Sequence, residues 1–351
     1  MDEQLLPDLL RLRGSVVAAS DEFFAAKENL AKPNAPVFVP DTYDAKGQVY
    51  DGWETRRRRG PDGTLPDRGA RDWVIVRLGV PGVVRSIVVD TAFFTGNYPQ
   101  ACSADACSVP GYPSSSELAA DTAPGVGCWQ EIVPRALLTG DARHAFKVNS
   151  GRRFTHVRLN IYPDGGVARL HVHGEVVPDP AMLEGLTIDL AALENGADIA
   201  ARSDQFYSSP RNVISPGLSR VMGEGWETRR RRKPGYEWLV VRLAGRGVID
   251  LAEIDTSWYR GNQPYSASLQ MMDATGLAAG VSLADERAWH DLLPRVTLLP
   301  DTPHRFRIQG TPATHVRLNI FPDGGVARLR LYGSLTDDGL SALRRRWDET
   351  G

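Results

Sequence analysis

Short segments of this 351-residue chain alternate between apolar and polar residues with a period of two. Within His156–Ile161, the aliphatic residues Val157, Leu159 and Ile161 would lie on one face of a strand and polar residues on the other. Val74–Leu78 follows the same rule. Clusters of Gly, Pro and Asp separate such segments. The pattern predicts an all-β chain that folds as an antiparallel β-sandwich.

A turn signal at Pro163–Gly166 lies between two alternating segments, and it predicts that His156–Leu170 forms a β-hairpin or its near equivalent. The polar face of this hairpin would carry His156, Arg158, Asn160, Arg169, His171 and His173. Solvated faces usually carry Lys, Glu and Thr, whereas this face is rich in groups that bind anions or partner chains. We therefore expect the other half of the chain, or another subunit, to cover it and to shield Arg158 and its counterpart Arg317.

The chain repeats its own sequence over long distances. Asp51–Arg59 returns as Glu224–Arg232 with eight of nine residues identical. His156–Leu170 returns as His315–Leu329 with a single difference, a Tyr replaced by Phe. Because the period is far longer than that of solenoid repeats, the pattern indicates two duplicated domains.

The repeats suggest boundaries for the domains. A C-terminal tail is expected to be helical because Leu340, Leu343 and Trp347 would share one side of a helix. The predicted organisation is an N-terminal segment (1–14), a first β-sandwich repeat (15–175), a linker (176–196), a second β-sandwich repeat (197–334) and the helical tail (335–351).

Composition and charge exclude several classes of partner. The net charge of −2, with 43 acidic and 41 basic residues, argues against nucleic acid and against an anionic membrane surface. The first residues do not resemble a signal peptide, and no apolar run reaches membrane-spanning length. Three cysteines, Cys102, Cys107 and Cys128, are an odd number confined to the first half. We expect free thiols and a location in the reducing cytoplasm.

The repeated motifs resemble those of the allantoicase family. The resemblance lies in the doubled Gly-Trp-Glu-Thr-Arg-Arg sequence and in the doubled His-Val-Arg-Leu-Asn-Ile-(Tyr/Phe)-Pro-Asp-Gly-Gly-Val-Ala-Arg-Leu sequence, and it covers about 21–333. It implies two jelly-roll domains of the galactose-binding or discoidin-like type. It also implies a homo-oligomeric hydrolase that converts allantoate to ureidoglycolate and urea in purine catabolism. The alternative is a discoidin-like module without catalytic activity that binds a carbohydrate or a small anion.

Hydrolysis of allantoate needs a proton for the departing nitrogen. Glu54 and Glu227, inside the doubled motif, are the first candidates for acid–base catalysis. They could instead only neutralise the neighbouring arginines, which would lower their pKa values and weaken a general acid. His156 and His315 are the alternative candidates, because imidazole titrates near neutral pH, although both could be ordinary residues of a polar face.

The substrate also needs a cation for its carboxylate and polar groups for its two ureas. A guanidinium matches a carboxylate with two parallel hydrogen bonds. In an extended segment only alternate arginines of each run would face a ligand, and the bland alternative is an ion-paired surface. The candidates for binding substrate are Arg57, Arg230, Arg169, Arg328, Asn97 and Asn262. Asp164 and Asp323 follow a proline within the repeated motif and are expected to cap turns.

No cofactor is required by this chemistry, although a metal ion could help by activating water. His171 and His173 would share a strand face and suit a metal, whereas the second repeat has Arg330 and Tyr332 there. Polar packing is the favoured interpretation, so no metal ligands are assigned. The sequence leaves open whether both repeats are catalytic or whether one site forms between them.

Overall fold

The computed structural model describes residues 6–120, 129–275, 283 and 285–351, so Cys128 lies outside the described residues. The chain divides into two compact units, 1–176 with 350–351, and 177–349. Each unit is built almost entirely of β-strands, as the alternating sequence pattern predicts.

The first unit contains one short helix among its strands. Its elements are β1 (Ser15–Ala19), β2 (Tyr43–Asp44), β3 (Gly47–Gln48), β4 (Trp53–Glu54), β5 (Asp72–Asp90), β6 (Ala101–Cys107), α1 (Ser115–Ala119), β7 (Gln130–Leu137), β8 (Arg143–Lys147), β9 (Arg153–Tyr162), β10 (Gly166–Val167) and β11 (Arg169–Val176).

The second unit repeats this order without a counterpart of the β2–β3 pair in its described part. Its elements are β12 (Ile188–Asp189), β13 (Asp198–Arg202), β14 (Trp226–Glu227), β15 (Glu237–Asp255), β16 (Ser266–Met272), β17 (His290–Thr297), β18 (Pro303–Arg307), β19 (Ala313–Phe321), β20 (Gly325–Val326), β21 (Arg328–Leu335) and α2 (Asp337–Glu349). Short 3-10 turns occupy Lys27–Ala31, Pro61–Gly63, Pro180–Met182, Leu193–Asn195, Pro210–Ile214, Met222–Glu224 and Glu286–Ala288.

A single strand of 19 residues, β5, organises the first unit. Its first half pairs with β1 and β9, and β9 continues the sheet to β6 and β7. Its second half pairs with β11 on one side and with β8 on the other. The strands therefore form two sheets, of five and three strands, that share one long strand. In the second unit β15 has the same role.

The predicted hairpin at His156–Leu170 is wrong. β9 and β11 do not pair with each other, because each pairs with a different half of β5. The turn at Pro163–Gly166 therefore carries the chain from one sheet to the other. As a result His156 and Arg169 do not share a polar face.

The core follows the predicted alternation. Inward-facing residues that are fully shielded from solvent include Val74, Val76, Val157, Leu159 and Ile161 in the first unit. Their equivalents Leu239, Val241, Val316, Leu318 and Ile320 are equally buried in the second. Each unit thus has its own aliphatic core, as two duplicated domains require.

Arg158 and Arg317 are shielded from solvent, but the expectation that the other half of the chain or another subunit shields them is wrong, because residues of the same unit do so. Arg158 stacks on Trp129 at 4.5 Å and pairs with Asp105 at 3.1 Å. Arg317 lies over the Trp289 ring and is 5% exposed. Trp129 immediately precedes β7 and Trp289 immediately precedes β17, so the same position in each repeat supplies the covering ring.

The segment before each repeat adds a short stretch of chain to the edge of a sheet. In the first unit Asp8 forms an isolated bridge with His173, and in the second β12 pairs with β21. The segments that the sequence suggested as an N-terminal extension and a linker are therefore equivalent parts of the two units. The predicted C-terminal helix is present as α2, and no helix in the described part of the chain is long and apolar enough to cross a membrane.

Candidate active site

The doubled Trp-Glu sequence lies between two other segments of its unit. β4 pairs with β10, so Trp53 is opposite Val167 and Glu54 is opposite Gly166. On its other side Glu54 exchanges backbone hydrogen bonds with Ala25 at 3.2 and 3.3 Å. β14 and β20 repeat the pairing in the second unit. The arrangement brings the two repeated motifs of each unit, distant in sequence, into direct contact.

The tryptophans of the motif fix the Trp-Glu strand in the interior of each unit. Trp53 and Trp226 are fully shielded from solvent. Trp53 donates its indole N–H to the carbonyl of Asp21 at 2.8 Å, and Trp226 donates to Asp204 at 3.0 Å. Because their rings are buried and their donors are satisfied, they position the neighbouring glutamates and do not stack on a ligand.

The two glycines of the Pro-Asp-Gly-Gly turn allow a third segment, the Gly-Asn loop that contains Gly96 and Asn97, to lie close to the turn. Gly165 has φ +139°, and a Cβ there would lie 2.8 Å from the carbonyl oxygen of Asn97. A Cβ at Gly166 would overlap the ring of Phe94. The amide of Gly166 donates to that same Asn97 carbonyl at 2.8 Å. Glycine is therefore required at the first position to let the Gly-Asn loop approach the turn, and at the second to leave room for the Phe94 ring.

A glutamate and an asparagine meet in each unit as a result. Asn97 donates from Nδ2 to Glu54 Oε1 at 2.8 Å, and Asn262 donates to Glu227 Oε1 at 2.6 Å. Burial raises the pKa of Glu54, while the Asn97 hydrogen bond and the positive charge of Arg57 oppose that shift. A carboxyl group whose pKa is raised toward neutrality suits proton transfer.

The aspartates of Pro-Asp-Gly-Gly hold the arginine runs in place. Asp164 Oδ2 accepts the backbone N–H of Arg58 at 2.7 Å, and Asp323 Oδ2 accepts that of Arg231 at 2.6 Å. The Arg58 side chain then pairs with the buried Asp72 at 2.6 Å. Arg231 pairs in the same way with Glu237, also at 2.6 Å. One arginine of each run is thus structural.

The equivalent arginines Arg57 and Arg230 differ between the units. Arg57 donates to Asp164 Oδ1 at 2.9 Å and to the carbonyl of Gly96 at 3.2 Å. Arg230 makes no hydrogen bond or ion pair with any residue in the described part of the chain. It lines a cavity of about 470 Å³ together with Glu227 and Asn262. The second unit therefore presents a cation, a carboxyl group and an amide to one cavity.

Three residues that line this cavity were not singled out in the sequence. They are Tyr207, Gln263 and Tyr265. Tyr207 belongs to the sequence Asp204-Gln-Phe-Tyr207, the counterpart of Asp21-Glu-Phe-Phe24, so the repeat itself marks its segment. Gln263 and Tyr265 replace Tyr98 and Gln100 of the first unit, and such divergent positions carry no motif signal.

Arg169 and Arg328 are not among the residues that line this cavity. The guanidinium of Arg169 is 1% exposed and donates to the carbonyls of Asn34, Asp51 and Ala168 and to the Asp51 carboxylate. Arg328 donates to the carbonyls of Gly217, Glu224 and Ala327, and burial lowers its pKa to about 10. With their donors engaged inside the protein, these arginines fix the chain before each motif, and the geometry argues against direct contact with a ligand.

His156 and His315 are also separate from the glutamates. Both contact the hydroxyl of the preceding threonine at 2.9 Å through Nδ1. His156 Nε2 is buried and has no hydrogen-bond partner in the described part of the chain. Burial, together with the charge of Arg77, lowers the pKa of His156 to about 4, and burial also lowers the pKa of His315. The imidazoles are therefore neutral at physiological pH.

Comparison with known proteins agrees with this geometry. The model of the family described as allantoicase repeat matches 8–177 and 188–336. The chain is 51% identical to a probable allantoicase of Nocardia farcinica over 94% of both chains. It is 40% identical to the allantoicase of Dictyostelium discoideum, over 95% of this chain and 87% of that one.

A solved structure has the same fold over nearly the whole length. The crystal structure of allantoicase from Saccharomyces cerevisiae matches with a TM-score of 0.72 and 34% identity, covering 93% of this chain and 92% of that chain. Both matched repeats contain the motif strand, the Gly-Asn loop and the Pro-Asp-Gly-Gly turn described above. The chain belongs to the allantoicase repeat family.

Proposed function

We propose that this protein is an allantoicase, a hydrolase that cleaves allantoate to ureidoglycolate and urea in purine catabolism. Membership of the family supports this activity. The structural observation that carries the proposal is the cavity of the second unit, where Arg230, Glu227 and Asn262 face one space. Its volume of about 470 Å³ lies within the usual range for small-molecule sites.

In the proposed arrangement the guanidinium of Arg230 binds the substrate carboxylate. Arg230 can do so without breaking an existing ion pair, since none holds it in the described part of the chain. Arg57 would first have to leave Asp164, whose side chain is 2% exposed and would then lack its cation. The second unit is therefore the better site for an anionic substrate.

Glu227 is the proposed acid–base group. The central carbon of allantoate bears two ureido groups, and the nitrogen of one, keeping its N–H, can expel the other as a protonated imine forms. The departing nitrogen needs a proton, and Glu227 is the proposed donor. The resulting carboxylate can then take a proton from the water that attacks the imine, so the group is regenerated. Asn262 holds Glu227 by one oxygen and leaves the other for the substrate.

The proposal has two finer parts, the assembly of the protein and its location in the cell. The family resemblance favours a homo-oligomer. The odd number of cysteines favours the reducing cytoplasm. Neither nucleic acid nor a membrane is included among the partners, because the net charge is −2.

The first test is the reaction itself. Purified protein incubated with allantoate is expected to release urea together with ureidoglycolate in equal amounts, measured by a coupled urea assay. A heat-inactivated sample gives the blank. Release no faster than the blank, combined with saturable binding of a sugar such as galactose or fucose, would support the non-catalytic module instead.

The second test separates the two units. Glu227→Gln keeps the shape of the side chain but cannot transfer a proton, so we expect kcat to fall about 10²–10⁴-fold. Glu54→Gln is the matched control in the other unit, and we expect a much smaller loss. Equal losses from both variants would mean that both units are active and would overturn the assignment to the second unit alone.

The third test concerns the substrate carboxylate. A hydrogen bond to a charged group contributes about 1.5–3 kcal/mol, so Arg230→Gln should raise KM by about 10–100-fold. Arg57→Gln should change KM little but lower the melting temperature, because it leaves the buried Asp164 without its ion pair. The assignment of Arg230 fails if the two variants change KM equally.

The fourth test asks whether His156 acts in structure or in chemistry. The folded protein holds its pKa at about 4, below the ordinary value of 6.5, so its contribution to stability is complete above pH 6.5 and is lost as the pH falls through 4. The loss amounts to at most about 3 kcal/mol. His156→Gln should weaken this acid dependence, measured by urea denaturation between pH 7 and pH 4, while kcat changes less than about tenfold. A loss of kcat as large as that of Glu227→Gln would restore His156 as a catalytic candidate.

A further inference from the structure

Two histidines and an aspartate converge at the edge of the first unit, away from the contacts of the glutamates. His171 and His173 are alternate residues of β11 and point to the same side, with their rings 5.9 Å apart and nearly parallel. The segment before β1 runs beside β11: Leu9 donates its amide to the carbonyl of Val172 at 2.7 Å. This contact places the side chain of Asp8 beside both imidazoles.

The three side chains have the spacing of metal ligands. Asp8 Oδ2 lies 2.9 Å from His171 Nδ1, and one ligand atom from each of Asp8, His171 and His173 lies within 4.8 Å of the others. Ligand atoms around a tetrahedral zinc ion, each about 2.0–2.2 Å from the metal, are separated by roughly 3.3–3.5 Å. Small side-chain rotations therefore bring the three atoms to bonding distance of one ion.

A second contact prepares one of the histidines for this role. His173 Nδ1 lies 3.2 Å from the carbonyl oxygen of Leu6. Because a carbonyl oxygen only accepts, Nδ1 carries the proton, and the lone pair is left on Nε2. Metal-binding histidines commonly donate their other ring N–H to a carbonyl or a carboxylate in this way.

In the second unit an arginine occupies the position equivalent to one of these histidines. Asp189 is the counterpart of Asp8, since Leu331 donates its amide to Asp189 Oδ1 at 2.9 Å as Val172 does to Asp8 Oδ1 at 3.1 Å. There Arg330 replaces His171 and pairs with Asp189 at 3.4 Å, and Tyr332 replaces His173. A shielded carboxylate requires a cation. In the first unit two imidazoles take the places of Arg330 and Tyr332, and the nearest permanent cation, Arg11, lies farther from the carboxylate than His171 does.

Positive charges nearby limit which ion can bind. Arg11 Nε lies 3.6 Å from Asp8 Oδ2, and the charge of Arg143 also acts on His173. These charges weaken a purely electrostatic cation site of the kind that holds Mg²⁺ or Ca²⁺. A ligand set of two imidazoles and one carboxylate favours Zn²⁺, Co²⁺ or Ni²⁺.

We propose that Asp8, His171 and His173 bind one divalent transition-metal ion that fastens the segment before β1 to the edge of the first unit. The ion replaces the proton between Asp8 and His171, in the place that the Arg330 guanidinium occupies in the second unit. The site is structural and independent of the proposed hydrolysis. Any remaining positions on the metal are open to water.

The test is metal titration of untagged, chelator-treated full-length protein. Co²⁺ is expected to bind at about one equivalent per chain with visible d–d absorption, and excess Zn²⁺ is expected to displace it. Zn²⁺ is also expected to raise Tm by a few degrees. No d–d absorption in the wild-type protein would overturn the proposal.

The second unit supplies the matched variant. The double substitution His171→Arg and His173→Tyr copies its arrangement, so the fold should persist without a metal, and the Co²⁺ absorption and the Zn²⁺ effect on Tm should both disappear. Asp8→Asn should weaken Co²⁺ binding at least tenfold. His290→Gln, at an exposed histidine of the second unit, should change nothing. Unchanged Co²⁺ absorption in the double variant would place the ion elsewhere and refute the site.

Discussion

The candidate site depends on one steric constraint, the absence of a side chain at two consecutive glycines in each unit. The first glycine of each pair, Gly165 or Gly324, lets the backbone of the Gly-Asn loop rest against the Pro-Asp-Gly-Gly turn, and a Cβ there would push the loop away. The second glycine, Gly166 or Gly325, leaves room for an aromatic ring that a Cβ would overlap. The close approach of loop and turn brings the asparagine side chain within hydrogen-bonding distance of the glutamate. This explains why glycine, tryptophan and glutamate recur together in both copies although they are far apart in sequence.

Buried charge decides which polar residues remain available for chemistry. Arg58 and Arg169 are engaged by Asp72 and Asp51, so they stabilise the loops that frame the site. Their energetic role is to satisfy carboxylates and carbonyls that would be costly to bury unpaired. Arg230 has no such partner in the described part of the chain, and it lines the cavity. Availability, and not charge alone, distinguishes a binding arginine from a structural one.

The sequence predicted the elements of the fold better than their connections. Alternation identified β9 and the core residues Val157, Leu159 and Ile161, because periodicity reports burial directly. It could not reveal that β5 is long enough to serve two sheets, so the chain before and after Pro163–Gly166 was predicted to form a hairpin. Pairing partners are set by tertiary packing, which a local pattern does not contain.

The sequence indicated some of the contacts at the candidate site, and their role in catalysis remains a proposal. The meeting of Glu54 with Asn97 could be suspected because both recur in the second repeat. The structural role of Arg169 could not be predicted, because the sequence does not distinguish an arginine that binds a ligand from one that binds backbone carbonyls. Asp8 could not be identified as a candidate metal ligand from the sequence, for a related reason. Its counterpart Asp189 lies in a stretch where the copies have diverged, so the repeat gave no signal.

Duplication followed by divergence accounts for the remaining asymmetry. The two units keep the backbone frame, since every part of it depends on glycines, tryptophans and aspartates that cannot be exchanged without strain. The units differ in the charged side chains at equivalent backbone positions and in the partners of those side chains. Arg57 pairs with Asp164, whereas Arg230 has no such ion pair in the described part of the chain. Asp189 pairs with an arginine, whereas Asp8 lies beside histidines. Once a second copy supplied the same fold, each copy was free to change its charged groups separately. Under the proposed assignments, the duplicated scaffold binds substrate in one unit and holds a metal ion in the other.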